Sequence, residues 1–188
     1  MDFANSTQLD GQRLLAMFLR HTVPYCHDRL TVRVRYSRGA PFSGACYYAD
    51  SRIFVNIGRR NHYPYTLATH VARARSDGRC WWREAYRLTV ADAPQLATFV
   101  YLHELYHFLV KQAARSPRRK EAMCDRFAAR VLVDHYGCPL LDSAGRRPPR
   151  DSWDFQDLDA FVARAPRESP ARSARRPIRV VVRGLPGE

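Results

Sequence analysis

Residues 103–107 read HELYH and residues 121–128 read EAMCDRFA. On a helix, His103 and His107 lie about 6 Å apart along the axis and differ by about 40° in direction, so both imidazoles can reach one metal ion. A tetrahedral zinc takes such nitrogens, and Glu104 lies beside them where it can touch a metal-bound water. Glu121 and Asp125, also four apart, share a face of the following helix. If the two helices form a hairpin that bends near 113–117, Glu121 lies about 6 Å in from the bend and His107 about 9 Å. By the same reckoning Asp125 is at about 12 Å and His103 at about 15 Å, so each acid falls level with one histidine. Glu121 is then the natural third ligand. Asp125 is the natural acceptor for the free ring N–H of His103, fixing its tautomer and orientation. The competing reading is a buried pair of structural histidines, with the two acids serving only as helix neighbours of Arg118 and Arg126.

Two helices must carry these groups. In "DAPQLATFVYLHELYHFLVKQAA", Asp92 is placed to cap and Pro94 falls in the first turn. In "SPRRKEAMCDRFAARVLVDHYG", Ser116 is expected as the cap, Pro117 as the first helical residue and Gly137 as the stop. An earlier amphipathic helix is expected over "TQLDGQRLLAMFLRHTV", ending before Pro24. "RLTVRVRYS" alternates Leu30, Val32, Val34 and Tyr36 against polar residues, the pattern of a half-buried strand. "CYYADSRIFVNIG" reads as a hairpin with Ile53, Val55 and Ile57 on one face. Residues 65–90 read as a second hairpin about "SDG" at 76–78, with a helix over 65–75 as the competitor. Trp81 and Trp82 are expected in the core or lining a groove. His135 shares the Glu121 stripe but stands about 21 Å further along, too far to ligate. The expected class is α+β, with a small mixed or antiparallel sheet, an active-site helix and a second ligand-bearing helix.

Hydrophobic residues make up 46% of the 188, enough for one packed domain. Residues 1–141 are expected to form that domain. From 142 to 188 the composition turns rich in Pro, Arg and Ser, the signature of a largely disordered tail. Within it an acidic island near 151–163, with Phe155, Leu158, Phe161 and Val162, is expected to dock as a short amphipathic helix. The formal charge of +13 attracts polyanions, so nonspecific nucleic-acid binding through a basic surface and tail is a candidate partnership. Five cysteines (Cys26, Cys46, Cys80, Cys124 and Cys138) form no CxxC pair, which excludes a zinc ribbon or thioredoxin-like motif. With no signal-like start and no membrane-length apolar run, the expectation is a cytoplasmic protein with free thiols and no membrane partner. Cys124 is expected to be buried beside Asp125 rather than bound to metal.

HELYH followed by ExxxD within EAMCDRFAARVL resembles the zincin (HExxH) metallopeptidases of the gluzincin type. ExxCDRFA is similar to the E-x-x-A-D/N-x-F-A helix of the ImmA/IrrE-type peptidases, and "SGACYYADSRIFVNI" is similar to the edge strand of those proteins and of SprT-like proteins. The resemblance covers roughly residues 44–137. The spacing from His107 to Glu121 is short for ImmA/IrrE and nearer the SprT-like spacing, where the third ligand is usually a histidine; no His stands near 121 here. The resemblance implies an endopeptidase with one Zn²⁺ per chain, held by His103, His107 and Glu121, with Glu104 as general base and a polypeptide substrate. It implies that the strand carrying Ile53, Phe54, Val55 and Asn56 binds an extended peptide by β-addition. Tyr106, His70 and His62 are the candidate oxyanion stabilisers. The alternative function is a SprT-like, nucleic-acid-associated protein whose protease activity acts on DNA-bound proteins.

Overall fold

The computed structural model describes residues 1–25 and 29–163, an α+β arrangement of small sheets and four helices. The chain opens with β1 (Asp2–Asn5) and α1 (Gly11–Thr22), whose first turn is capped by Asp10 accepting from the N–H groups of Gln12 and Arg13. Leu14, Met17 and Phe18 form its buried stripe. Three strands follow: β2 (Thr31–Tyr36), β3 (Phe42–Tyr47) and β4 (Arg52–Ile57). They form a mixed sheet of order β1-β2-β4-β3, parallel between β1, β2 and β4 and antiparallel between β4 and β3. The expected alternation holds: Val32, Val34, Ile53, Val55 and Ile57 are all buried on one face.

Residues 65–90 hold four short strands and no helix. β5 (Tyr65–Thr69) pairs with β8 (Tyr86–Val90), and between them β6 (Ala74–Ser76) and β7 (Trp81–Arg83) make a two-stranded ribbon. The β-branched and aromatic alternation of 65–69 suits a pleated, half-buried surface better than a helix. Trp81 and Trp82 are neither core nor groove: they stand exposed on the ribbon.

α2 (Ala93–Gln112) begins at its Asp92 cap, which accepts from Gln95 N–H. It lies between the first sheet and the remaining helices, so it is apolar nearly all round. From Leu96 to Val110 every residue is buried except His103 and Glu104. α3 (Glu121–Tyr136) packs antiparallel beside it and ends at Gly137, whose φ of 66° supplies the left-handed stop. The expected start at Ser116 and Pro117 is corrected: Ala114 and Arg119 take positive φ values of 55° and 58°, so the bend extends to Lys120. A helix cannot run through Arg119 in that conformation. Glu121 thereby becomes the first residue of α3, at the positive end of its dipole. β9 (Leu140–Leu141) adds a third strand beside β8.

The chain does not leave the body at 141. Trp153 and Leu158 are buried, and α4 (Leu158–Ala163) packs on the body with Phe155 and Phe161 half-buried. The Tyr106 hydroxyl donates to the Leu158 carbonyl (3.0 Å). Asp159 accepts from Tyr25 and Arg130, and Arg126 donates to Gln156. Phe155 lies between the guanidinium groups of Arg73 and Arg126, at 4.0 and 4.2 Å from its ring centre. The folded unit therefore reaches at least Ala163; the remaining Pro/Arg/Ser-rich residues, 164–188, lie outside the described residues. Leu158→Ala should destabilise the whole domain by about 2–5 kcal/mol, the usual cost of a fully buried leucine. Chemical denaturation measures it, and an unchanged midpoint would show that 142–163 do not contribute to the core. Among the described residues no helix is long and apolar enough to cross a membrane.

Candidate metal centre

Between Leu96 and Val110 of α2 only His103 and Glu104 are incompletely buried, and His107, one turn on, is buried. The two imidazole rings stand 5.0 Å apart between centres. Glu121 reaches both: its Oε2 is 3.2 Å from His103 Nε2 and its Oε1 is 3.3 Å from His107 Nε2. Tetrahedral zinc with bonds near 2.0–2.1 Å requires ligand atoms about 3.3 Å apart, so both contacts have the length of a coordination edge. The opposite nitrogen of His103, Nδ1, is 2.9 Å from Asp125 Oδ1. A carboxylate only accepts, so Nδ1 carries the hydrogen and Nε2 is turned to the site. The level pairing expected from a helical hairpin is present, with Glu121 serving both histidines.

Cys124 was not expected here, yet it belongs to the cluster. Ligand atoms of His103, His107 and Cys124 all lie within 4.8 Å of one another, a group that could hold a metal ion. Cys124 is fully buried one turn after Glu121, and burial followed by the charges of Glu121 and Asp125 pushes its thiol strongly upward. The sequence signal was its place in ExxCD, three residues after one acid and next to the other. His107 turns Nε2 to Glu121, and its Nδ1, on the far side of the ring, is buried without a hydrogen-bond partner.

The electrostatics follow from this packing. Burial alone would pull the His103 ring down, but its bonds to Asp125 and Glu121 outweigh that and hold it at about 10. The same bond to His103, with the charges of both histidines, draws Glu121 down to about 2. Burial pushes Glu104 up to about 7, where the nearby His103 opposes the rise and Glu121 adds to it. Two imidazoles bridged by the two oxygens of one carboxylate, with the Cys124 sulfur nearby, form a donor set that suits a divalent cation of borderline softness. A cation there would satisfy the groups that a proton on His103 satisfies now.

Glu104 rests against β3. A Cβ built on Gly44 would come within 2.6 Å of Glu104 Cγ, so the close approach requires glycine. Clefts open on either side of the carboxylate. One, of about 260 Å³, is lined by Phe42, Gly44, His70, His103, Glu104 and Glu121. The other, of about 650 Å³, is lined by Tyr48, Glu104, His107, Lys111 and Glu121. Phe42 begins β3 and Tyr48 follows its end, so the two clefts lie toward opposite ends of this strand. A larger cavity, about 840 Å³ between α1, α2, α3 and α4, contains none of these residues.

The remaining candidates separate clearly. The strand expected to bind peptide, with Ile53, Phe54, Val55 and Asn56, is corrected: β4 is paired on both edges, to β2 and to β3, and has no free backbone row. The free edge next to Glu104 belongs to β3. Tyr106 is corrected as well, because it is fully buried and its hydroxyl is engaged by Leu158 beneath α4. His62 is exposed and lines neither cleft. His70 is in place: its backbone N–H and Nδ1 are 2.7 and 3.2 Å from Asp125 Oδ2, and its ring is 68% exposed at the lip of the smaller cleft. Tyr48 was not foreseen; burial, then the neighbouring Cys46 and Glu104, push its phenol up to about 12, so it keeps its proton. His135 packs against His21, 5.1 Å between ring centres, away from the site. Cys46, Cys80, Cys124 and Cys138 are free thiols, and Cys26 lies outside the described residues.

Comparison with protein-family models, with curated proteins and with solved structures finds no match to this chain.

Proposed function

We propose that the chain is a zinc-dependent metallopeptidase of the HExxH, zincin type. The observation that carries this reading is the Glu121 carboxylate spanning both histidine Nε2 atoms at tetrahedral-edge distances while Asp125 fixes His103 from behind. His103, His107 and Glu121 are the protein ligands, and Cys124 packs against them. Zn²⁺ in this set supplies Lewis acidity, polarising a scissile carbonyl and lowering the pKa of the attacking water.

Glu104 does the proton work. Its carboxyl, raised to about 7, is suited to take the water's proton and return it to the leaving amine. Only a small displacement is available to it, because Gly44 backs it closely. The substrate is an extended polypeptide that adds to the free edge of β3, its backbone running past Glu104 from one cleft into the other. A protonated Tyr48 is the favoured oxyanion donor. His70 is less suited, because its Nδ1 is already engaged by Asp125.

Elemental analysis of purified protein should find about one zinc per chain, and hydrolysis of an unstructured polypeptide should stop with a chelator and return with zinc. Absence of bound metal, or hydrolysis indifferent to the chelator, would overturn the proposal.

A further inference from the structure

The metal site makes no use of the β6–β7 ribbon, and the ribbon carries the most conspicuous apolar exposure among the described residues. Trp81 is 79% and Trp82 47% exposed, whereas Trp153 is 3% exposed. The register sets Arg75 opposite Trp82 and Ser76 opposite Trp81. Arg75 and Trp82 therefore share one face of the ribbon, and Trp81 and Arg83 share the other. The acids of this segment are engaged locally: Asp77 accepts from the backbone of Arg79 and Cys80 at the turn, and Glu84 accepts from Ser143. Arg83 ties the ribbon to the body through the carbonyls of His70 and Ala72, and Arg73 covers Phe155. Arg75 and Arg79 remain, both exposed and without a hydrogen bond or close ion pair among the described residues, although Arg75 lies near enough to Glu84 for their charges to interact.

We propose that this ribbon binds single-stranded nucleic acid that crosses it near the turn, with one base stacking on Trp81 and another on Trp82 on the opposite face, and phosphates held by Arg75 and Arg79. Exposed indole faces beside exposed guanidinium groups are the two elements of such a platform: every base has a π face, and every nucleotide carries a charge. The formal charge of +13 supplies long-range attraction for a polyanion. Single strands fit better than duplex, whose bases are already stacked on one another. An anionic membrane fits less well, because Ser76, Asp77, Gly78 and Arg79 at the turn offer no apolar companions for insertion. Because Arg83 anchors the ribbon to the His70 segment, a bound strand lies at the lip of the smaller cleft. The binding itself does not depend on the peptidase reading.

The test is a titration of the full chain with oligothymidylate. Emission from the exposed tryptophans should be quenched, and anisotropy of a labelled oligonucleotide should show affinity falling with salt. Trp81→Ala with Trp82→Ala should weaken binding roughly 5- to 150-fold for each stacked base lost, whereas the two Phe substitutions should retain most of it. Arg75→Ser with Arg79→Ser should reduce the slope of log affinity against log salt by about 1.4, some 0.7 for each phosphate contact. All four side chains are exposed, so unfolding midpoints should not move. Unchanged affinity in the Trp-to-Ala variant would overturn the proposal in favour of binding by arginines elsewhere. Absence of quenching, with tryptophan emission instead shifting on vesicles of anionic phospholipid, would replace it with a membrane contact. Glu104→Gln should bind the oligonucleotide like the unaltered chain, so loss of peptidase activity and loss of this binding are separate results.

Discussion

Glu104→Gln should lower polypeptide hydrolysis by roughly 10²–10⁴, the usual worth of a positioned general base, while zinc content and stability stay as they were. The substitution preserves volume, which matters because Gly44 leaves the side chain little freedom to repack. It removes the one function that shape cannot replace, the capacity to accept a proton. Burial already makes the charged form of Glu104 costly, so the neutral amide is accommodated without strain on the site. Zinc content and turnover measured on the same preparation decide the matter. Full activity in the variant would remove Glu104 as the base and end the peptidase proposal.

Removal of the third ligand should have a different signature. Glu121→Ala should lose the zinc and with it all activity, because two histidines alone cannot hold a divalent ion in a closed geometry. Cys124→Ala should keep about one zinc per chain. The distinction is physical: Glu121 faces both Nε2 atoms at 3.2 and 3.3 Å, whereas Cys124 is buried with its thiol pushed strongly upward, so its thiolate is costly. Asp125→Asn should fall between, with zinc affinity reduced roughly 10–100-fold through a misoriented His103. Its effect is expected to reach His70 too, since one Asp125 carboxylate holds both rings. Metal retained in Glu121→Ala and lost in Cys124→Ala would make the site a His103, His107 and Cys124 centre.

The helices and strands that position the site were legible in the chain because their signals are local. Asp92 with Pro94, the alternation of Val32 and Val34, and Gly137 each act within a few residues, and each does in the fold what its type dictates. The pairing of Glu121 with His107 and of Asp125 with His103 was also legible, since helical rise sets the level of each side chain once two helices lie antiparallel. Local signals failed where sequence-distant contacts decided. Ser116 and Pro117 are good helix starters, yet the bend needs positive φ at Ala114 and Arg119 to bring α3 alongside α2. The resemblance offers the strand with Ile53, Phe54, Val55 and Asn56 to a peptide, but strand order places β3 at the edge, with Gly44 against Glu104. Tyr106 sits inside the motif, but α4 packs over it and takes its hydroxyl. Cys124 looked like core filling until the helix pair brought its sulfur near the two imidazoles. Residue types and spacing therefore determined which groups share a face. Tertiary packing alone decided which faces meet and which remain open, because those contacts join residues far apart along the chain.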